Sequence, residues 1–85
     1  MFNYYPKDKV YSFQKSQQEE LQFAVCDRKG KTFVDIRSYH IQEDGSKIGT
    51  HKGIFIPVER LPELKEGVDH LIEKAQPNRF KNESD

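Results

Sequence analysis

The stretch from Lys29 to His40 constrains the fold more than any other, because it joins a glycine turn to a segment of alternating residues. Val34 and Ile36 fall on one side of an extended strand, and the residues between them fall on the other side. This period of two predicts a β-strand with one face in a core. The other face carries arginine and aromatic rings, which folding alone does not require, so it is a candidate binding surface.

Similar signals divide the first 57 residues into strands and turns. Alternating or apolar runs predict strands at 10–14, 21–26, roughly 31–41 and 53–56. Gly30 suits a hairpin turn because glycine adopts positive φ without strain, and Asp44-Gly45 is a second strong turn signal. The pattern therefore predicts strands joined in sequence by short hairpins.

The hydrophobic period changes after Pro57. Apolar residues then recur at spacings of three and four, at Leu61, Leu64, Val68, Leu71, Ile72 and Ala75. Such spacing predicts one amphipathic helix, with Pro62 in or near its first turn. Four strands followed by one helix indicate an α+β fold.

Length and composition set further limits. With 85 residues and a hydrophobic fraction of 34%, the chain forms one domain with a small core, which favours a partner subunit that buries more apolar surface. We expect an arm at 1–9, a folded domain at 10–76 and a flexible tail at 77–85. The single cysteine allows no internal disulfide, and no apolar run reaches membrane-spanning length, which together predict a cytoplasmic protein without a membrane partner.

Candidate catalytic residues are few. Cys26 lies in a predicted strand, away from any helix N-terminus that would activate a thiol. His40 and His51 can approach each other across a hairpin, but they lack a carboxylate or nucleophile, and His70 lies on the polar flank of the helix. The spacing of these residues matches no zinc site and no nucleotide-binding motif, so we expect no enzyme activity, metal or cofactor.

A binding function has better support. Lysine and arginine contact phosphates, and aromatic rings stack on bases. The candidate contacts are Arg28, Lys29, Lys31, Arg37, Lys47 and Lys52, with Phe33, Tyr39 and His40 as stacking groups. Basic residues exceed acidic ones in 26–57, and the reverse holds in 58–75. The alternative is that these cations only keep a sheet edge soluble.

The order of short motifs resembles that of one known family. These motifs are Lys-Gly-Lys at 29–31, Asp-Ile-Arg-Ser-Tyr at 35–39, Asp-Gly at 44–45, Lys-Gly-Ile at 52–54 and Leu-Lys-Glu at 64–66. Over about residues 12–75 the chain resembles the DNA-binding domain of the transcriptional positive cofactor four family, whose members bind single-stranded DNA. The resemblance is to the small prokaryotic or viral type of member. Each motif alone is weak evidence, whereas the ordered set is fairly specific.

The resemblance implies a curved four-stranded antiparallel sheet followed by a helix, assembled as a homodimer through helices and sheet edges. It assigns phosphate contacts to Lys29, Lys31, Arg37 and Lys52, and it makes Gly30 and Gly53 turn residues close to the nucleic acid. The helix would mediate dimerisation through Leu64, Val68, Leu71 and Ile72.

Two positions depart from the family pattern. Arg28 and His40 occupy positions where the family has base-stacking phenylalanine and tryptophan, and a guanidinium or imidazole is a weaker platform. We therefore expect a single-stranded DNA-binding homodimer with modest affinity that assists transcription or protects opened DNA, in a nucleoid or a nucleus. A protein-interaction module on the same fold and an RNA-binding variant are the open alternatives, with the transcription machinery as a candidate partner.

Overall fold

A computed structural model describes residues 7–75. It consists of β1 (Lys7–Ser16), β2 (Glu19–Arg28), β3 (Lys31–Ile41), β4 (Lys47–Pro57), a 3₁₀ turn (Val58–Arg60) and α1 (Leu61–Ala75). The strands form one antiparallel sheet in the order β1-β2-β3-β4. The predicted order of four strands and one helix is confirmed. The predicted tail at 77–85 and the first six residues of the predicted arm lie outside the described residues.

Strand β1 begins earlier than the sequence indicated. Lys7 pairs with Cys26 and Lys9 pairs with Ala24, so residues 7–9 belong to the sheet and not to an arm. The register shifts between Lys9 and Tyr11, which leaves Val10 as an extra residue. The bulge changes the face on which later side chains lie, and because it breaks the alternation, the sequence pattern did not reveal the first three residues of the strand.

Strand β4 is also longer than predicted, because it starts at Lys47 and not at Gly53. Arg37 pairs with Gly53 and Tyr39 pairs with Gly49, so residues 50–52 lie opposite Ser38 alone. This wide irregularity interrupts the period of two on which a strand prediction depends. The ladder of hydrogen bonds on both sides of it keeps the segment within the sheet.

The two glycines predicted in turns have different roles. Lys29 and Gly30 both have positive φ, of 53° and 79°, which is the signature of a two-residue type I′ hairpin, so the prediction for Gly30 is confirmed. The prediction for Gly53 is wrong, because this residue lies inside β4. A Cβ atom there would lie 2.6 Å from the carbonyl oxygen of Ile36, so the close approach of β3 and β4 requires glycine.

Cross-strand partners place their side chains on the same side of a sheet, which defines two faces. The apolar face comprises Tyr11, Phe13, Leu21, Phe23, Val25, Val34, Ile36, Ile54 and Ile56. The basic face comprises Lys7, Lys9, Arg28, Lys31, Arg37 and Lys47, the rings of Phe33, Tyr39 and Phe55, and the carboxylates of Glu20 and Asp35.

The apolar face is only partly covered. Tyr11, Phe13 and Phe23 form an aromatic cluster in which the Tyr11 and Phe23 ring centroids lie 5.6 Å apart. Tyr11 is nevertheless 61% exposed and Phe13 46% exposed. Among the described hydrophobic residues, Ala24, Cys26 and Val34 alone are fully buried. The core of one chain is therefore small, as its length predicted.

Helix α1 adds little to that core, because none of its residues is buried. Val68, Leu71 and Ile72 are exposed, with Leu71 at 66%. The radius of gyration is 15.6 Å, whereas a compact chain of this length would have about 11–12 Å. The apolar side of the helix thus stays open to solvent in the single chain. Within residues 7–75 no helix is both long and apolar enough to span a bilayer.

Candidate nucleic-acid interface

The strand register brings most of the predicted binding residues to the basic face. Arg28 and Lys31 pair with each other beside the hairpin turn, and Lys47 pairs with Ile41 at the other end of β3. Phe33, Arg37 and Tyr39 alternate along β3 on the same side. The sheet thus gathers cations and rings that are separated in sequence.

Two lysines of the basic face were missed. Lys7 and Lys9 pair with β2 residues whose side chains lie on this face. Their spacing of two positions is the signal that one face of a strand would produce, but Val10 interrupts the pattern directly afterwards. The pairing with β2 was needed to recognise them.

Three predicted contacts do not join the others. His40 pairs with Glu19 and Ile48, which places it on the opposite side from Arg37. Lys52 lies in the irregular part of β4, where its Nζ is 3.9 Å from a carboxylate oxygen of Glu19. Lys29 lies at the tip of the β2–β3 hairpin, exposed and between the two faces.

Asp35 is the buried centre of the basic face, with only 2% of its surface exposed. Its carboxylate contacts Lys7 Nζ and also accepts from Arg37, whose Nη2 lies 3.0 Å from Oδ1. A buried carboxylate is tolerated only when it is paired and hydrogen-bonded. Asp35 therefore fixes the positions of two cations from different strands.

Arg37 is held from a second direction by β4. Its Nη1 donates to the carbonyl oxygen of Thr50 at 2.9 Å. The Thr50 hydroxyl in turn donates to the carbonyl oxygen of Ser38 at 2.7 Å, which closes the irregular segment onto β3. The guanidinium is thus held in one orientation, and 23% of the side chain is exposed.

The far end of the face carries a second ion pair. Lys47 Nζ lies 2.7 Å from a carboxylate oxygen of Glu20, which is nearly buried. The hydrogen bond from Lys47 lowers the pKa of Glu20 despite the opposing effect of burial. Nearby, the Tyr39 ring lies over Gly49, where a Cβ atom would approach Tyr39 Cε2 to 3.2 Å.

The rings of Phe33 and Phe55 stack at 4.9 Å between centroids, with 11° between their planes. The guanidinium carbon of Arg28 lies over the Phe55 ring, 5.7 Å from its centroid. One face of Phe33 is therefore already occupied, so this ring is less available to a base than predicted. Phe55 was missed because it follows Ile54 in an apolar run, which indicates a buried strand.

Two of the residues considered for catalysis, Cys26 and His70, lie on different elements, β2 and α1. Cys26 is buried, and burial raises the pKa of its thiol, which keeps it protonated and unreactive near neutral pH. His70 Nε2 lies 3.8 Å from a Glu66 carboxylate oxygen on the exposed helix. In the described part of the chain, no group of three or more His, Cys, Asp or Glu side chains is placed to hold a metal ion.

Comparison with protein-family models gives a match over residues 15–67 to the family described as Transcriptional Coactivator p15 (PC4). The matched segment is more than half of the chain and runs from β1 into α1. The chain belongs to the PC4 family. The family predicted from the order of the motifs is thereby confirmed. Comparison with curated protein sequences gives no match.

Solved structures of PC4 homologues share the fold. A PC4 homologue from Burkholderia pseudomallei, in an orthorhombic crystal form, is 24% identical, with a TM-score of 0.74 over 89% of this chain and 100% of that chain. A tetragonal crystal form of that protein gives 25% identity and a TM-score of 0.69, over 74% of this chain and 93% of that chain.

A third similar structure comes from bacteriophage T5. It is a homologue of the eukaryotic transcription coactivator PC4 that is implicated in recombination-dependent DNA replication. The identity is 14% and the TM-score 0.65, over 82% of this chain and 81% of that chain. The prediction of a small prokaryotic or viral type of PC4 protein agrees with these neighbours.

Proposed function

We propose that this PC4-family protein is a non-enzymatic homodimer that binds single-stranded DNA with little sequence preference. It would assist transcription or protect opened DNA in a nucleoid or a nucleus. The observation that carries the proposal is the segregation of charge by the sheet, which places lysines and arginines on one face and mainly apolar residues on the other. A chain with a net charge of zero thus presents a cationic surface.

The basic face suits a polyanion whose bases are accessible. Its cations lie on all four strands, so a phosphate backbone could follow the face across the sheet. Tyr39 and Phe33 lie on the same face, where their rings can stack on bases. Ring stacking requires unpaired bases, which favours single strands over duplexes.

The homodimer is supported by the uncovered apolar surfaces. Leu71 and its neighbours form an exposed apolar stripe on α1, which no other part of residues 7–75 covers, and Tyr11 and Phe13 are exposed on the apolar face. Removal of such surface from water contributes about 25 cal/mol per Å². A second copy of the chain offers matching apolar surfaces, so dimerisation would complete the core.

The test is a fluorescence-anisotropy titration of a labelled oligo-dT of about 20 nucleotides and of a duplex of the same length. Both titrations are made at two salt concentrations, because phosphate contacts weaken with salt. We expect micromolar or tighter binding that favours the single strand and weakens with salt. Flat titrations at both salt concentrations would overturn the proposal.

Two substitutions that each remove one cation test whether the basic face is the surface that binds phosphates. Arg37→Ala removes a cation from the basic face and should reduce the salt slope by about 0.7, the value for one phosphate contact on a single strand. Lys52→Ala removes an exposed cation that lies near Glu19, outside that face. If both faces contribute equally, the two variants will have the same slope, and the basic face is not the binding surface.

A second candidate function is a protein-interaction module on the same fold. The observation that favours it is the neutralisation of cations on the basic face, since Asp35 contacts Lys7 and Arg37, and Glu20 contacts Lys47. Weak DNA binding at physiological salt together with a stable protein complex would select this function. An oligo-U titration, run in parallel, would reveal whether RNA is the preferred ligand.

A further inference from the structure

We propose that Phe55 and the Arg28 guanidinium over its ring together form a stacking platform for a nucleobase. The inference rests on the proposed function and adds a binding residue to it. Phe55 lies on the edge strand β4, two positions after Gly53, and its side chain shares the basic face with Asp35, its partner on β3. The platform therefore belongs to the cationic surface.

The geometry of three flat groups supports this role. Phe33 and Phe55 are nearly parallel, and the Arg28 guanidinium lies over the Phe55 ring. Parallel rings and a guanidinium plane form a stack to which another flat group can be added. Because each group comes from a different strand, the sheet itself holds the spacing.

Exposure distinguishes Phe55 from an ordinary core residue. Phe55 is 36% exposed, whereas Phe33 is half-buried. A phenylalanine at a solvent-facing position of an edge strand has an energetic cost, which a ligand would relieve by covering the ring. Among the described residues, no further strand pairs with the outer edge of β4.

Charge near the stack favours a nucleotide over an apolar partner. Arg28 and Lys31 pair at the end of β2 and β3, next to Phe33 on the same face. A base added to the Phe55–Arg28 stack would bring its phosphate within reach of these cations, so that stacking and phosphate contact act on one nucleotide. An apolar protein surface would instead leave these cations without water or counterions.

The experiment compares the affinity for oligo-dT with that for an abasic strand of the same length and charge. The variant is Phe55→Leu, which keeps an apolar side chain but removes the ring. Phe13→Leu is the matched control, because Phe13 is an exposed aromatic residue on the apolar face. Thermal unfolding and sedimentation of each variant establish that fold and oligomeric state are retained.

We expect Phe55→Leu to lose roughly tenfold in affinity for oligo-dT, with an unchanged salt slope and unchanged affinity for the abasic strand. Phe13→Leu should bind both strands as the unmodified protein does. An oligonucleotide with one 5-iodouracil should photocrosslink to Phe55, as mapped by mass spectrometry.

Two results would overturn the platform and leave the proposed function intact. One is oligo-dT binding by Phe55→Leu equal to that of the unmodified protein. The other is dissociation of the protein into monomers by Phe55→Leu, because the ring would then belong to a subunit interface. If the unmodified protein binds neither strand at either salt concentration, the proposed function fails and the platform fails with it.

Discussion

The basic face of the sheet and the apolar side of helix α1 differ in whether contacts within a single chain satisfy their side chains. On the basic face, Asp35 and Glu20 are both nearly buried, and both are paired with cations from other strands. No described side chain there has a buried polar atom without a hydrogen-bond partner. On α1, by contrast, Leu71 and Ile72 remain more than half exposed.

This difference indicates which kind of partner suits each surface. A surface with satisfied polar groups is stable in water and can bind and release a ligand. An exposed apolar stripe is stable only when another surface covers it permanently. The contrast therefore supports the proposals of reversible nucleic-acid binding at the basic face and of constant self-association through the helix.

The largest effect should come from a charge on the helix stripe. Leu71→Asp would place an unpaired carboxylate in the proposed dimer interface, at a cost on the order of 4 kcal/mol. We expect monomers or aggregates in sedimentation. His70→Asp introduces the same charge on the exposed neighbouring position and should leave the dimer intact. A well-folded Leu71→Asp dimer would show that the stripe is not the interface.

Alanine substitutions of two glycines, one in strand β4 and one in helix α1, should change stability in opposite directions. Gly53→Ala would bring a Cβ to 2.6 Å from the Ile36 carbonyl oxygen, so β3 and β4 would have to separate, at a cost of about 3 kcal/mol. Gly67→Ala meets no atom within 4 Å in the single chain and should raise helix stability by about 1 kcal/mol.

Chemical denaturation of both glycine variants measures these changes. Equal stability of Gly53→Ala and the unmodified protein would contradict the close approach of the two strands. A loss of stability in Gly67→Ala that depends on protein concentration would place this glycine in the dimer interface.

Within the basic face, Asp35→Asn should separate stability from binding. The substitution leaves Lys7 and Arg37 without their shared carboxylate. Because both cations are partly exposed, we expect the free energy of unfolding to fall by about 2 kcal/mol. The face also becomes more positive, so the salt slope for oligo-dT should steepen. Asp27→Asn, on the opposite side, is the control and should change neither quantity. A shallower slope for Asp35→Asn would mean that orientation of Arg37 matters more than its charge.

The smallest effect concerns pH. Because Lys47 lowers the pKa of Glu20 in the folded protein, the unfolded chain takes up a proton at higher pH than the folded one. This contribution to stability is complete above the ordinary glutamate pKa of about 4.3 and is lost as pH falls through the lower folded value. It should be about 1 kcal/mol or less. Urea unfolding between pH 6 and the acid range should show this loss, and Lys47→Ala should reduce it.

The family and the order of elements followed from the sequence. Alternation in β3, the Gly30 hairpin and the spacing of Leu64, Val68 and Leu71 all reflect local geometry that a linear pattern records. The motif order identified the PC4 family because its residues lie in one continuous run. Local signals of this kind need no knowledge of which strands pair.

Which residues make up the candidate site depended on how the strands pair. Lys7, Lys9 and Phe55 join the basic face, while His40 and Lys52 leave it, and each change follows from register or from the irregularity at residues 50–52. A bulge moves every later side chain to the other face, and a local pattern does not reveal where the extra residue is accommodated.

The sequence by itself determined four strands, one amphipathic helix and the PC4 family, because turn chemistry and hydrophobic period act over a few residues. The tertiary structure alone decided which cations share a surface, that Asp35 is buried between Lys7 and Arg37, and that Phe55 stacks on Phe33. The physical reason is that charge pairing and ring stacking depend on distances between strands, which only the register of the sheet sets.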